Sequence, residues 1–189
     1  MTIVAYTVVS LSFGLTMMLL FRSCAAASAI RLTKALAESL LVAVVHVVLF
    51  LVGQRSGALL RFEDLQTAEL YQQSNELVFM GLMAVVALRW TVSAFRRKES
   101  GAYDIARWST VAALALASGI NLFLMGVADG FLGVAHKWQA AAIPLFVAEF
   151  LFSYLGVMMG RRQMPLSPRR WTLLSAILVL AVALFSIVG

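Results

Sequence analysis

Arg22 stands in a run that is otherwise apolar from Ile3 to Ile30, four residues after Met18 and so on the same helical face. A guanidinium in that position either anchors a helix end at the cytoplasmic interface or lies about two turns deep and needs a carboxylate. Asp129 and Glu149 are the counter-charges that other apolar runs supply. A buried pair with either would hold fixed positive charge where a second cation would be strongly repelled. His46, in a further apolar run, has the chemistry of a metal ligand, a proton relay or a hydrogen-bonded structural residue. Met17, Met18, Met125, Met158 and Met159, with Cys24, offer soft sulfur to an ion such as copper(I), and equally the gap-filling that methionine performs in apolar cores. No nucleophile–base pair in a recognisable context, glycine-rich phosphate loop or closely spaced ligand cluster occurs, so catalysis is not expected.

The elements that must position these groups are set by lipid. The chain has 189 residues, 62% hydrophobic and only 13% charged, with a mean hydropathy of +0.92. A span needs roughly 20 apolar residues, and six runs qualify: 3–22 with a possible extension to 30, 35–53, 76–95, 109–132, 139–160 and 170–188. Only helices and closed barrels satisfy their backbone within a bilayer. Strictly alternating segments are absent, so an all-α polytopic membrane protein is expected, with the lipid bilayer as its first partner. The first run lacks the basic residues that precede the apolar stretch of a signal peptide.

The net charge of +6 follows topology. Arg22, Arg31 and Lys34 flank the first loop; Arg96, Arg97, Lys98 and Arg107 the third; Arg161, Arg162, Arg169 and Arg170 the fifth. The second loop sets Arg55 and Arg61 against Glu63, Asp64, Glu69 and Glu76. Positive loops stay inside, which places both termini outside the cytoplasm of a bacterial inner membrane. Such short basic turns do not make a nucleic-acid surface. The loop at 55–76 carries Leu59, Leu60, Phe62, Leu65, Leu70 and Tyr71, the makings of a short surface helix or of a docking site for another membrane protein.

Three spans, a charged linker near 96–107 and three more spans give two inverted repeats, residues 1–98 and 99–189. "SFGLTMM" in the first run is similar to "ASGINLF" in the fourth, and "VVHVVLFLVGQ" in the second to "EFLFSYLGVMMGR" in the fifth. In such folds the substrate site lies at the midplane between repeats, where Gly14, Ser118, Gly119 and Gly126 would admit close backbone approach.

Together "FGLTMM" at 13–18, "LRWTVSAFR" at 88–96, "ALASGINLFLMGVADGFLG" at 115–133 and "LGVMMGR" at 155–161 resemble the MntP-type manganese exporters, relatives of the LysE superfamily. The resemblance implies six spans in two inverted repeats and efflux of manganese, a transported ion rather than a cofactor, with Arg89 at the family's basic position in the third helix. It also implies where the site should be. The paired midplane aspartates of the family fall on Met18 and Asn121, the acidic position of the second helix on His46, its repeat mate on Ser153, and a third-helix acidic position near Ser93. Hard divalent cations prefer carboxylate, carbonyl and water oxygens, and none of these positions carries a carboxylate. Two functions follow: divalent cation efflux through an altered site, or a transport-inactive relative serving as a scaffold or subunit of a larger membrane complex. The deep placement of Arg22, paired with Asp129 or Glu149, would close the inherited site. Met18 and Asn121 are expected to meet near the midplane.

Overall fold

The computed structural model describes residues 3–25, 30–60, 68–96, 103–133, 138–162 and 167–188. They form six helices: α1 (Ile3–Ala25), α2 (Leu32–Leu60), α3 (Ala68–Arg96), α4 (Trp108–Phe131), α5 (Trp138–Arg161) and α6 (Pro168–Val188). Each contains a segment long and apolar enough to cross a membrane, and every regular element among the described residues is helical. The chain is an all-α, six-span membrane protein.

Each helix sorts its side chains between lipid and neighbours. On α2, Leu32, Leu36, Leu40, Val44, Val48 and Val52 form an exposed stripe at four-residue spacing, while Glu38, Ser39, His46, Phe50, Gly53 and Gln54 are buried. Val147, Leu151 and Leu155 make the matching stripe on α5. Lipid is as apolar as these stripes, so helix association rests on close packing and internal polar contacts. Glycine supplies the first. A Cβ on Gly126 would run into the Phe50 carbonyl oxygen, and one on Gly53 into that of Phe123. These two positions seat α4 against α2 backbone to backbone.

The helices pair as α1 with α5 and α2 with α4, with further packing of α2 on α5, α3 on α6, α1 on α6 and α3 on α4. Exchanging α1 with α4, α2 with α5 and α3 with α6 leaves that set unchanged. Individual contacts follow the same exchange. Gly156 of α5 abuts the backbone of Met18 of α1, and Gly53 of α2 abuts the backbone of Phe123 of α4. Gly14 faces Ala148 and Phe152, as Gly119 faces His46 and Leu49. Because these contacts advance together along the chain, α1 runs parallel to α5 and α2 parallel to α4. Both outermost described residues, Ile3 and Val188, therefore lie at one end of the bundle, called here the terminal end. At the opposite, loop end, Arg169 stands 4.3 Å from the ring centre of Phe95, and Lys34 donates to the carbonyl of Ala106 while lying 5.6 Å from the Trp108 ring centre.

Two boundaries depart from the sequence reading. The described part of helix α1 runs to Ala25; residues 26–29 lie outside the described residues, and Ile30, which is buried, is not helical, so the expected helix through to Ile30 is not found. Helices α2 and α3 reach into the second loop, to Leu60 and from Ala68, so most of 55–76 extends the spans instead of forming a separate surface helix. Strong helix formers in "LYQQSNEL" let α3 begin well before its apolar stretch. Residues 61–67, with Phe62, Glu63, Asp64 and Leu65, lie outside the described residues.

The apolar interior has two parts. Tyr6, Val9, Phe13, Phe50, Phe79, Leu122 and Met125 belong to a cluster toward the terminal end. Met17, Phe21, Cys24, Val42, Val111, Ala115 and Val157 form the other, toward the loop end.

Candidate functional site

Between the clusters lies a cavity of ≈ 180 Å³, to which all six helices contribute. Helix α1 presents Thr16 and Met17, α4 presents Ser118 and Asn121, and α3 presents Trp90 and Ser93. Thr172 of α6 completes the loop-end side, and His46 of α2 with Glu149 of α5 the centre. His46 and Glu149 each sit near the middle of a long helix, where the periodic apolar face turns polar for one residue.

His46 Nδ1 is 3.0 Å from Glu149 Oε2, with side-chain exposures of 1% and 0%. Its Nε2 lies 3.0 Å from the Ala115 carbonyl oxygen and 3.0 Å from Ser118 Oγ. Ser118 donates its own hydrogen to the Leu114 carbonyl at 2.6 Å, so its oxygen receives from His46. A carbonyl oxygen only accepts, and Nε2 therefore carries a hydrogen. The Nδ1–Oε2 contact is then attractive only when the pair holds one further proton, as imidazolium with carboxylate or imidazole with carboxylic acid. Its alignment is too poor for a hydrogen bond, and both Glu149 oxygens remain without one. Asn121 Oδ1 is likewise buried without a hydrogen-bond partner. Unsatisfied buried oxygens are costly in lipid; beside a polar cavity they are the donor set a cation or ordered water would complete.

A second polar network lies nearer the terminal end. Tyr6 donates to Asp129 Oδ1 at 2.6 Å, and Gln54 Nε2 donates to Asp129 Oδ2 at 2.7 Å. All three side chains are buried, and both carboxylate oxygens are satisfied.

The structure places the residues singled out in the sequence as follows. His46 and Asn121 line the cavity, as does Ser93. Met18 does not: it is buried with its backbone against Gly156. At about 100° per residue, the α1 face that turns Thr16 toward the cavity turns Met18 toward α5. The expected meeting of Met18 with Asn121 is therefore corrected to a shared cavity wall of Thr16 and Asn121. Ser153 is buried, with its hydroxyl lacking a hydrogen-bond partner; in the glycine register that aligns Gly53 with Gly156, the mate of His46 is Glu149, four residues earlier. Arg22 lies in the last turn of α1 and is half-buried. Its expected partners are engaged elsewhere. Asp129 is held by Tyr6, sixteen residues earlier on α1 and about 24 Å along the helix. Glu149 follows Ala148, which lies level with Gly14, about 12 Å of helix from Arg22. The contacts of the two acids in the structure are Tyr6 and Gln54 for Asp129 and His46 for Glu149. Arg89 is exposed on α3, while its neighbour Trp90 turns inward. The methionines are divided, Met17 packing in the loop-end cluster and Met125 in the terminal-end cluster.

Sequence reasoning passed over Thr16, Tyr6 and Gln54, hydrogen-bonding residues within apolar runs. Their place in the spans was the available signal, because a polar group in lipid needs an internal partner. Glu38 was also passed over; it is fully buried, with its carboxylate 3.6 Å from Lys34 and no hydrogen bond.

Comparison with known families now bears on this geometry. A family model described as "Putative manganese efflux pump" matches residues 29–187. The chain belongs to the MntP family. The match runs from just before α2 almost to the end of α6 and leaves α1 outside. No curated protein and no solved structure matches the chain. Membership makes this a multi-pass protein of a membrane transport family, and transporters carry solutes rather than catalyse reactions. Among the described residues no group of three His, Cys, Asp or Glu side chains stands close enough to hold a metal ion.

Proposed function

We propose that this MntP-family protein moves manganese or a similar divalent cation outward through the central cavity, with Glu149 as the carboxylate of the site. Its two halves, 1–98 and 99–189, act as inverted repeats around that site, with both termini outside the cytoplasm of a bacterial inner membrane. The observation that carries the reading is a fully buried carboxylate, free of hydrogen bonds, on the wall of a mid-helix cavity. Asn121 Oδ1 and the Thr16 hydroxyl extend the oxygen set. His46 holds the carboxylate in place when the cavity is empty of cation. The ligand set is oxygen-rich, as a hard ion requires, and a cavity of this size keeps several waters on the ion.

The test is manganese binding by the purified protein and manganese export in vesicles. Glu149→Gln should reduce both by at least tenfold, and Asn121→Ala by less. A second reading, the transport-inactive scaffold, is favoured by His46, whose ring stands 3.0 Å from Glu149 and occupies one side of the carboxylate. Unchanged manganese handling on Glu149→Gln would sink the site, and no binding by the unmodified chain would favour the scaffold.

A further inference from the structure

The central cavity of ≈ 180 Å³ has room for about six waters at the share each takes in the liquid, roughly 30 Å³. An octahedral divalent ion holds about that many in its first shell. The wall is poorly made to replace such a shell. Phe13, Met17, Leu19, Leu20 and Trp90 supply much of it, and the rings of Phe13 and Trp90 stand edge to face with centres 4.7 Å apart. Of these only the Met17 sulfur could reach a metal, and a hard ion does not seek it. The lining holds one carboxylate, Glu149, so a doubly charged ion stripped of water would meet a single compensating charge.

What the wall does offer is lone pairs. Both Glu149 oxygens and Asn121 Oδ1 are buried without hydrogen-bond partners. Thr16 gives its hydrogen to the Phe13 carbonyl at 2.7 Å, which leaves its oxygen to accept. Water bound to a cation turns its oxygen inward and its hydrogens outward, so an aquo ion presents donors on every side. Acceptors carried on α1, α4 and α5 match that surface.

We infer that the cavity takes the divalent ion with its water shell intact, Glu149, Asn121 and Thr16 holding it through water rather than by direct bonds to the metal. This rests on the cavity being the cation site proposed above, and it adds the form in which the cargo enters. Selection then goes by charge and by the size of the hydrated ion, and the ligand preferences that rank transition metals have little influence. Magnesium, which gives up its water reluctantly, is bound about as well as manganese.

Hexaamminecobalt(III) is the probe, because its ammine ligands do not exchange and it presents only N–H donors from an octahedron. It can enter an outer-sphere site but cannot bond directly to Glu149. The purified protein in dodecylmaltoside micelles is loaded with manganese, and free manganese is followed by electron paramagnetic resonance. Hexaamminecobalt(III) should displace the bound manganese, and the affinity for magnesium should lie within about threefold of that for manganese. Glu149→Gln should weaken hexaamminecobalt(III) binding about tenfold, and Thr16→Val should weaken manganese and the cobalt complex by the same factor. Isotopically labelled water should count a full first shell on bound manganese. Manganese that binds but is not displaced by hexaamminecobalt(III), or that has lost waters from its first shell, would overturn the intact shell and leave the cation site standing. Displacement unchanged by Glu149→Gln would put the cobalt complex outside the cavity and overturn it too. Failure of both ions to bind would remove the cation site itself, and the hydrated cargo with it.

Discussion

His46→Leu isolates the central pair and gives its strength. The side chain removed is 1% exposed and its ring nitrogen stands 3.0 Å from Glu149. In the imidazolium–carboxylate form, at an effective dielectric constant near 20, unit charges at that distance attract by about 5–6 kcal/mol. Desolvation offsets much of this when both partners are present. Removing one alone leaves the other charge uncompensated, a loss of about 3–5 kcal/mol. The Nε2 contacts to Ala115 and Ser118 disappear as well, adding about 1 kcal/mol. We therefore expect His46→Leu to destabilise by about 5 kcal/mol in reversible unfolding from mixed micelles. The double change His46→Leu with Glu149→Leu should be milder than the sum of the singles by about 2–3 kcal/mol, because no charge is then stranded. Agreement of the double mutant with simple addition, within about 0.5 kcal/mol, would refute the pair.

Asn121→Asp should strengthen manganese binding measured by calorimetry, whereas Met18→Asp should not, since Met18 faces α5; equal gains would mean that the register of α1 is wrong. Gly126→Val should abolish folding or cost more than about 3 kcal/mol, because its added Cβ meets the backbone of α2, while Gly81→Ala, with nothing within 4 Å, should change thermal stability by less than about 1 kcal/mol. Lys34→Met should destabilise by strippping Glu38 of its ion pair, and Glu38→Gln in the same chain should restore most of that loss on a melting curve. Reporter fusions after Arg162 and at Gly189 should read opposite faces of the membrane, with Gly189 outside; a cytoplasmic Gly189 contradicts the charge-based orientation.

The six spans were legible because lipid imposes one rule on every residue of a run, and the apolar lengths satisfy it without any tertiary information. Pairing was less so. The similarity of "VVHVVLFLVGQ" to "EFLFSYLGVMMGR" contains the right helices, yet matching their glycines, rather than the family's acidic positions, is what brings His46 to Glu149. Met18 failed for the same reason. A lead-in motif fixes position along α1 but not the face, and one step of 100° separates a cavity residue from a packing residue. For Arg22 sequence alone left two depths open, because a charge in an apolar run signals depth only if the helix continues well past it; the described helix places Arg22 in the last turn of α1. Asp129 and Glu149 were recognised as needing partners, while the partners themselves, Tyr6 and His46, lay far away in sequence, and periodicity says nothing about contacts across helices.

The placement of His46 opposite Glu149 constrains how any altered site works. Under the exchange of the two halves these residues map onto each other, so they lie where α2 meets its own counterpart. A symmetric pair of aspartates on α1 and α4 would present two negative charges from two walls. Here the fixed negative charge is single and central, and a cationic His46 would cancel it. On the proposed reading, a divalent ion would gain less from electrostatics in this cavity and would need more from oxygen coordination by Thr16, Asn121 and retained water. Asp129 cannot supply the missing charge, because Tyr6 and Gln54 already occupy both of its oxygens toward the terminal end.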